Sequence, residues 1–86
     1  MLPPPPENIV YLRVGQLLKW DGVLDAEEYE ILYTPKEPIN WQVAYSGGIA
    51  TECPFLKSPG FYQAKGRTKK SGEWGDYCIS YPIEVT

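Results

Sequence analysis

Histidine is absent from all 86 residues, methionine occurs once and cysteine twice. Without histidine the chain can form no Ser–His or Cys–His catalytic pair, and it lacks a principal ligand of zinc sites. No apolar run comes near the roughly 20 residues of a membrane-spanning helix, so insertion into a bilayer is not expected. There is no basic excess either. Eight Lys and Arg stand against 11 Asp and Glu, a net charge of −3, which argues against nucleic acid as the main partner. The length leaves room for one hydrophobic core and not for two.

What the chain does have is aromatic mass and turn residues. Three Trp and seven Tyr, with a hydrophobic content of 43 %, are too rich for a disordered segment. Nine prolines and eight glycines punctuate short alternating runs. Residues 1–7 read as a proline-rich lead-in, because Pro3 to Pro6 cannot enter a sheet ladder and favour an extended polyproline conformation. Residues 8–86 read as one β domain. Strands are predicted over 9–14, with apolar residues on both faces, and over 16–20, with Leu18 and Trp20 inward and Lys19 outward. Residues 21–28 form an acidic connection with at most one helical turn near Ala26. Further strands follow at 29–33, with Tyr29, Ile31 and Tyr33 on one face, at 41–45 and at 49–55. Pro54 marks the strand at 49–55 as an edge or an end. In the run after Tyr62, Ala64 and Gly66 share a face opposite Gln63, Lys65 and Arg67, leaving space that Trp20 is expected to fill. Residues 68–75 read as a polar loop and 77–85 as the last strand, with Tyr77, Ile79, Tyr81, Ile83 and Val85 inward.

That gives seven strands at roughly ten-residue spacing, the signature of an all-β antiparallel sandwich. Cys53 then points inward and Cys78 outward. A disulfide requires Cβ atoms about 4 Å apart, which opposite faces do not provide, so two free thiols are expected in a protein made in a reducing compartment.

Over nearly the whole chain this order resembles a fibronectin type III domain, an immunoglobulin-like β-sandwich of seven strands. The matching residues are Pro6 with Asn8-Ile9, then Leu18-Lys19-Trp20-Asp21, Tyr29-Glu30-Ile31-Leu32-Tyr33 and Trp41. Leu56, Pro59-Gly60 with Tyr62, and Ser71-Gly72-Glu73-Trp74 complete the series. The resemblance implies that Trp20, Leu56 and Tyr62 build the core and the corner before the sixth strand. Two departures stand out: Lys57 and Ser58 separate Leu56 from Pro59, and Ala64 and Gly66 replace the family's usual valines. Modules of this kind occur in tailed-bacteriophage virion proteins, in accessory parts of carbohydrate enzymes and in cell-adhesion proteins.

Function resides in sites added to such a scaffold. The residues 65–70 hold four of the eight basic side chains, while Asp21, Asp25, Glu27, Glu28 and Glu30 form an acidic stretch elsewhere in the chain, a pairing that would suit association of identical copies. The tip 71–77 combines glycines, carboxylates and aromatics. Lys69, Lys70, Glu73, Trp74 and Asp76 are therefore the candidate partner-binding residues, with Trp74 the anchor type favoured at interfaces. Glu27-Glu28 and Glu73 with Asp76 lack a pocket for acid–base catalysis, and Asp21 with Asp25 lacks calcium-loop spacing. No enzymatic activity, metal or cofactor is expected.

The reading that results is a non-catalytic virion component of a tailed bacteriophage, in the tail or decorating the capsid. It would be made in the host cytoplasm without a signal peptide and would bind other virion proteins in multiple symmetric copies, with host-surface or glycan contact also open. The alternative is an extracellular adhesion or carbohydrate-binding module excised from a larger protein.

Overall fold

The computed structural model describes residues 2–86, which contain no helix. Eight strands form two antiparallel sheets: β1 (Glu7–Leu12), β2 (Leu17–Asp21), β3 (Glu28–Pro35), β4 (Gln42–Gly48), β5 (Glu52–Pro54), β6 (Gly60–Lys70), β7 (Glu73–Trp74) and β8 (Tyr81–Val85). The smaller sheet runs β1-β2-β5. The larger runs β4-β3-β6-β7, with β8 also paired to β6. Period-two alternation explains both. Leu18 and Trp20 from the smaller sheet meet Ile31, Tyr33, Ala64, Ile83 and Val85 from the larger in one buried cluster.

Aromatic rings fill this cluster in two groups. Trp20 lies 5.5 Å from Tyr45 and 6.3 Å from Tyr29. Phe55 sits 5.1 Å from Tyr33 and 5.6 Å from Tyr62, both near edge-to-face. Such pairs contribute about 0.5–1.5 kcal/mol each beyond the area they bury.

The structure corrects the sequence expectations at five places. The first strand starts at Glu7 and carries a bulge. Asn8 adopts a left-handed conformation (φ 54°) and its side-chain amide donates to Asp21 Oδ2 at 2.6 Å. One extra residue against β2 explains why both Pro6 and Ile9 are buried although their spacing is odd.

Second, the expected loop 68–75 is mostly strand. β6 continues to Lys70, turns through Ser71 and Gly72 (φ 52° and 77°) and returns as β7, raising the count from seven strands to eight. Two successive positive φ values make this a tight hairpin turn. Strand pairing with β3, from Glu28↔Lys69 to Pro35↔Tyr62, holds in extended form a basic segment whose composition reads as loop.

Third, the last strand begins only at Tyr81. Ile79 is exposed, and Cys78 turns toward β6, where Gly66 N donates to its Sγ at 3.3 Å. Cys78 N in turn donates to Gly66 O at 2.9 Å. Both cysteines are free.

Fourth, Leu56 is exposed, and Phe55 takes the core position in its stead. The alternation from Cys53 to Phe55 turns the next side chain outward. Fifth, the space over Gly66 belongs to Pro6 and Ile31 and not to Trp20. A Cβ at Gly66 would stand 2.9 Å from Pro6 Cγ and 2.6 Å from Ile31 Cδ1. The proline lead-in stays out of the sheet ladder, as predicted, yet it lies against its own domain, with Pro3 and Pro6 buried.

Candidate functional site

β6 turns Ala64, Gly66 and Thr68 inward, so Lys65, Arg67 and Lys69 project from the opposite side of the larger sheet. Across the ladder on β3 stand Leu32, Glu30 and Glu28 in register with them. Two loops and β7 bring three aromatic rings onto the same face. Lys65 Nζ lies 4.3 Å from the Trp41 ring and 4.9 Å from the Tyr77 ring. The Arg67 guanidinium lies 4.9 Å from Tyr77 and 4.5 Å from Trp74. The outcome is a continuous row of alternating rings and cations, Trp41–Lys65–Tyr77–Arg67–Trp74.

Glu30 fixes the middle of the row. Its Oε1 accepts from Arg67 Nε at 3.0 Å and from the Tyr77 hydroxyl. Burial and the neighbouring Glu30 carboxylate push the Tyr77 phenol up to about 12, against a smaller opposing pull from Arg67. Tyr77 therefore stays neutral and donates its proton to Glu30 throughout the physiological range. Each cation–ring contact at a half-exposed site contributes about 0.5–1 kcal/mol, and the ion pair about 0–1 kcal/mol. Collectively they hold six long side chains in one arrangement.

The five sequence-derived candidates divide between surfaces. Trp74 is the terminal ring of the row, and Lys69, its cross-strand partner, extends the same face by one step. Lys70 and Glu73 pair next to them but point to the other side of the hairpin, where they line a hollow of about 270 Å³ with Pro3 and Pro4. Asp76 is exposed in the segment after β7. Trp41, Lys65, Arg67, Tyr77 and Glu30 join the site from outside that set. The outward alternation of Lys65 and Arg67 is visible in the sequence. The arrival of Trp41 is not, because the loop of residues 36–41 has to fold across the sheet, where Asn40 N bonds Thr34 Oγ1 at 2.5 Å.

The acidic and basic stretches are also neighbours in space. Glu27 accepts from Ser71 N at 2.9 Å and Gly72 N at 3.2 Å, and Glu30 pairs with Arg67. One charge of each stretch, Glu30 and Arg67, is thus paired within the chain. Among the described residues no group of three or more Cys, Asp or Glu side chains is placed to hold a metal ion. The face presents tryptophan, tyrosine and arginine side chains in one row, the residue types enriched at interfaces. No protein-family model matches the chain, and no curated protein sequence matches it.

Proposed function

We propose that this chain is a fibronectin type III-like sandwich acting as a non-catalytic structural module of a tailed-bacteriophage virion, in the tail or on the capsid, through protein–protein contacts. The observation that carries the binding role is the outer row Trp41–Lys65–Tyr77–Arg67–Trp74. Trp, Tyr and Arg are the residues that dominate interface energetics, and here they are aligned before any partner arrives, which lowers the ordering cost of association.

The family reading draws support from the fold. With β7 set aside, the strands divide three to four, and the first lies beside the second while the third joins the fourth and sixth. Tyr62, at the start of β6, donates its hydroxyl to Ser58 O at 2.7 Å, a corner bond of the kind found in immunoglobulin-like sandwiches. The virion assignment rests on the resemblance to phage modules and on two free thiols, which suit synthesis in a reducing cytoplasm.

The test is a cryo-electron microscopy map of purified particles from the host that encodes the chain, with a paired Trp41→Ala, Trp74→Ala variant. The expected outcome is sandwich density repeated by the particle symmetry, with the Trp41–Trp74 face against a neighbour, and loss of that density in the variant. Particles that contain no copy of the chain refute the virion role. Copies seated through another surface refute the role of this face.

A further inference from the structure

The outer side of the larger sheet carries a second feature, at the end away from the β6–β7 hairpin. There Phe61 faces Glu84 and Gln63 faces Pro82 across the β6–β8 ladder. Adjacent strands and alternate residues set these four side chains on a patch of about 5 by 7 Å, the footprint of one six-membered ring. Lys36 and Ser80 complete the wall of a groove of about 420 Å³, within the roughly 300–1,000 Å³ range of ligand clefts. Phe61 is 62 % exposed. Its strand is pinned from the side by Lys36 N donating to Phe61 O at 3.0 Å.

We infer that this groove is a binding site for a neutral saccharide. Phe61 and Pro82 supply an apolar floor on which the C–H face of a sugar ring stacks, taking the place of the Lys36 ammonium that lies 5.9 Å from the centre of the Phe61 ring, because the face of an aromatic ring is electron-rich. Around the floor stand an amide, a hydroxyl, an ammonium and a carboxylate, so both donors and acceptors face the hydroxyls of the ligand. Lys36 and Glu84 cancel in charge, which gives an ionic ligand no net attraction. A purely apolar ligand would strip water from four polar groups and return no hydrogen bonds. A ligand that is apolar on one face and hydroxylated at its rim leaves neither kind of group unpaired. The site is separate from the Trp41–Trp74 row, and the inference does not rest on the virion assignment.

Titration of the isotope-labelled protein with maltotriose, cellotriose and chitotriose, followed by amide chemical shifts, tests it. At least one of the three is expected to give saturable shifts at Phe61, Gln63 and Glu84, with an affinity on the order of 1 mM. Phe61→Ala is expected to weaken binding by about tenfold or more. Phe61→Tyr retains binding and keeps the test valid should the alanine variant misfold. Leu24→Ala, on a loop outside the groove, is expected to bind as the parent does. Absence of saturable shifts with all three sugars, or equal shifts in Phe61→Ala, overturns the proposal. So does an oligoproline peptide that shifts these amides when the sugars do not, because the groove would then serve a polypeptide.

Discussion

Replacing Gly66 by alanine sets two effects of opposite sign against each other. Gly66 is buried in the middle of β6 and its φ does not lie in the left-handed region, so the backbone itself accepts a side chain. Restricting the unfolded chain by that one methyl group would stabilise the protein by about 0.4–1 kcal/mol. Against this, the new Cβ would stand 2.6 Å from Ile31 Cδ1, 2.9 Å from Pro6 Cγ and 3.3 Å from the Glu30 carbonyl. Ile31 is fully buried, Pro6 has no rotamer to adopt, and the carbonyl is held in the ladder to β6, so the overpacking cost is about 1–3 kcal/mol. Overpacking wins. At the centres of the two ranges the net destabilisation is about 1.3 kcal/mol, a fall in Tm of roughly 5–10 °C for a domain of this size. Urea unfolding followed by tryptophan fluorescence measures it, and a cycle with Pro6→Ala identifies its source. With the proline ring removed, Gly66→Ala should cost less by at least about 0.5 kcal/mol. A neutral or stabilising Gly66→Ala, or the same cost in both backgrounds, refutes the claim that the lead-in is seated on this glycine.

Three further outcomes follow from the site and its surroundings. Arg67→Ala removes two ring contacts and one ion pair and should destabilise by about 1–2 kcal/mol in urea unfolding, with Arg67→Lys recovering part; a cost near zero refutes the row as an ordered unit. Tyr77 has its phenol raised from 10.0 to about 12, so the unfolded chain ionises first. Its contribution to stability is complete below pH 10 and is lost between pH 10 and 12. The unfolding midpoint of Tyr77→Phe should therefore fall less steeply across that window than the parent's, and equal slopes would contradict the Glu30 contact. Burial pushes the Cys53 thiol up to about 11. A disulfide-exchange reagent at neutral pH should leave it unmodified in the folded protein and label both cysteines in urea; rapid labelling of folded Cys53, mapped by mass spectrometry, would refute its burial.

Where local patterning and tertiary structure agree, the fold is legible from residues alone. Leu18 and Trp20, and Tyr29, Ile31 and Tyr33, alternate cleanly and are buried on the predicted faces. Pro54 marks an edge, and β5 is the edge of its sheet. Misreadings arise where a long-range partner overrides composition. The run from Thr68 to Lys70 is polar and reads as loop, yet it is extended because β3 pairs Tyr29 with Thr68 and Glu28 with Lys69. The bulge at Asn8 depends on a side-chain bond to Asp21, 13 positions away, which period counting cannot register. Leu56 fills the core in the resembled pattern. Here two residues, Lys57 and Ser58, separate Leu56 from Pro59 where that pattern has one, and Phe55 occupies the interior. Of the site, Trp74 and Lys69 were accessible to reasoning from loop composition. Trp41 was not, since its place over Lys65 depends on how an irregular loop crosses the sheet.

The β3–β6 ladder explains why the outer row can serve recognition without being the source of stability. Its inward side chains, Ile31, Tyr33 and Ala64, share the buried cluster with Leu18, Ile83 and the aromatic groups around Phe55. Its outward side chains, Glu30, Lys65 and Arg67, meet Trp41, Tyr77 and Trp74 on the surface, and Glu30 pairs with Arg67. The pleat separates the two sets, so truncating an outer ring leaves the core contacts in place and costs the contacts of that ring alone, about 0.5–1 kcal/mol. A hot-spot tryptophan in an interface costs 2 kcal/mol or more when truncated. The two quantities can therefore be told apart. For Trp41→Ala or Trp74→Ala, a loss of partner affinity that exceeds the loss of folding stability reports recognition, and equal losses would make the row a structural clasp and nothing more.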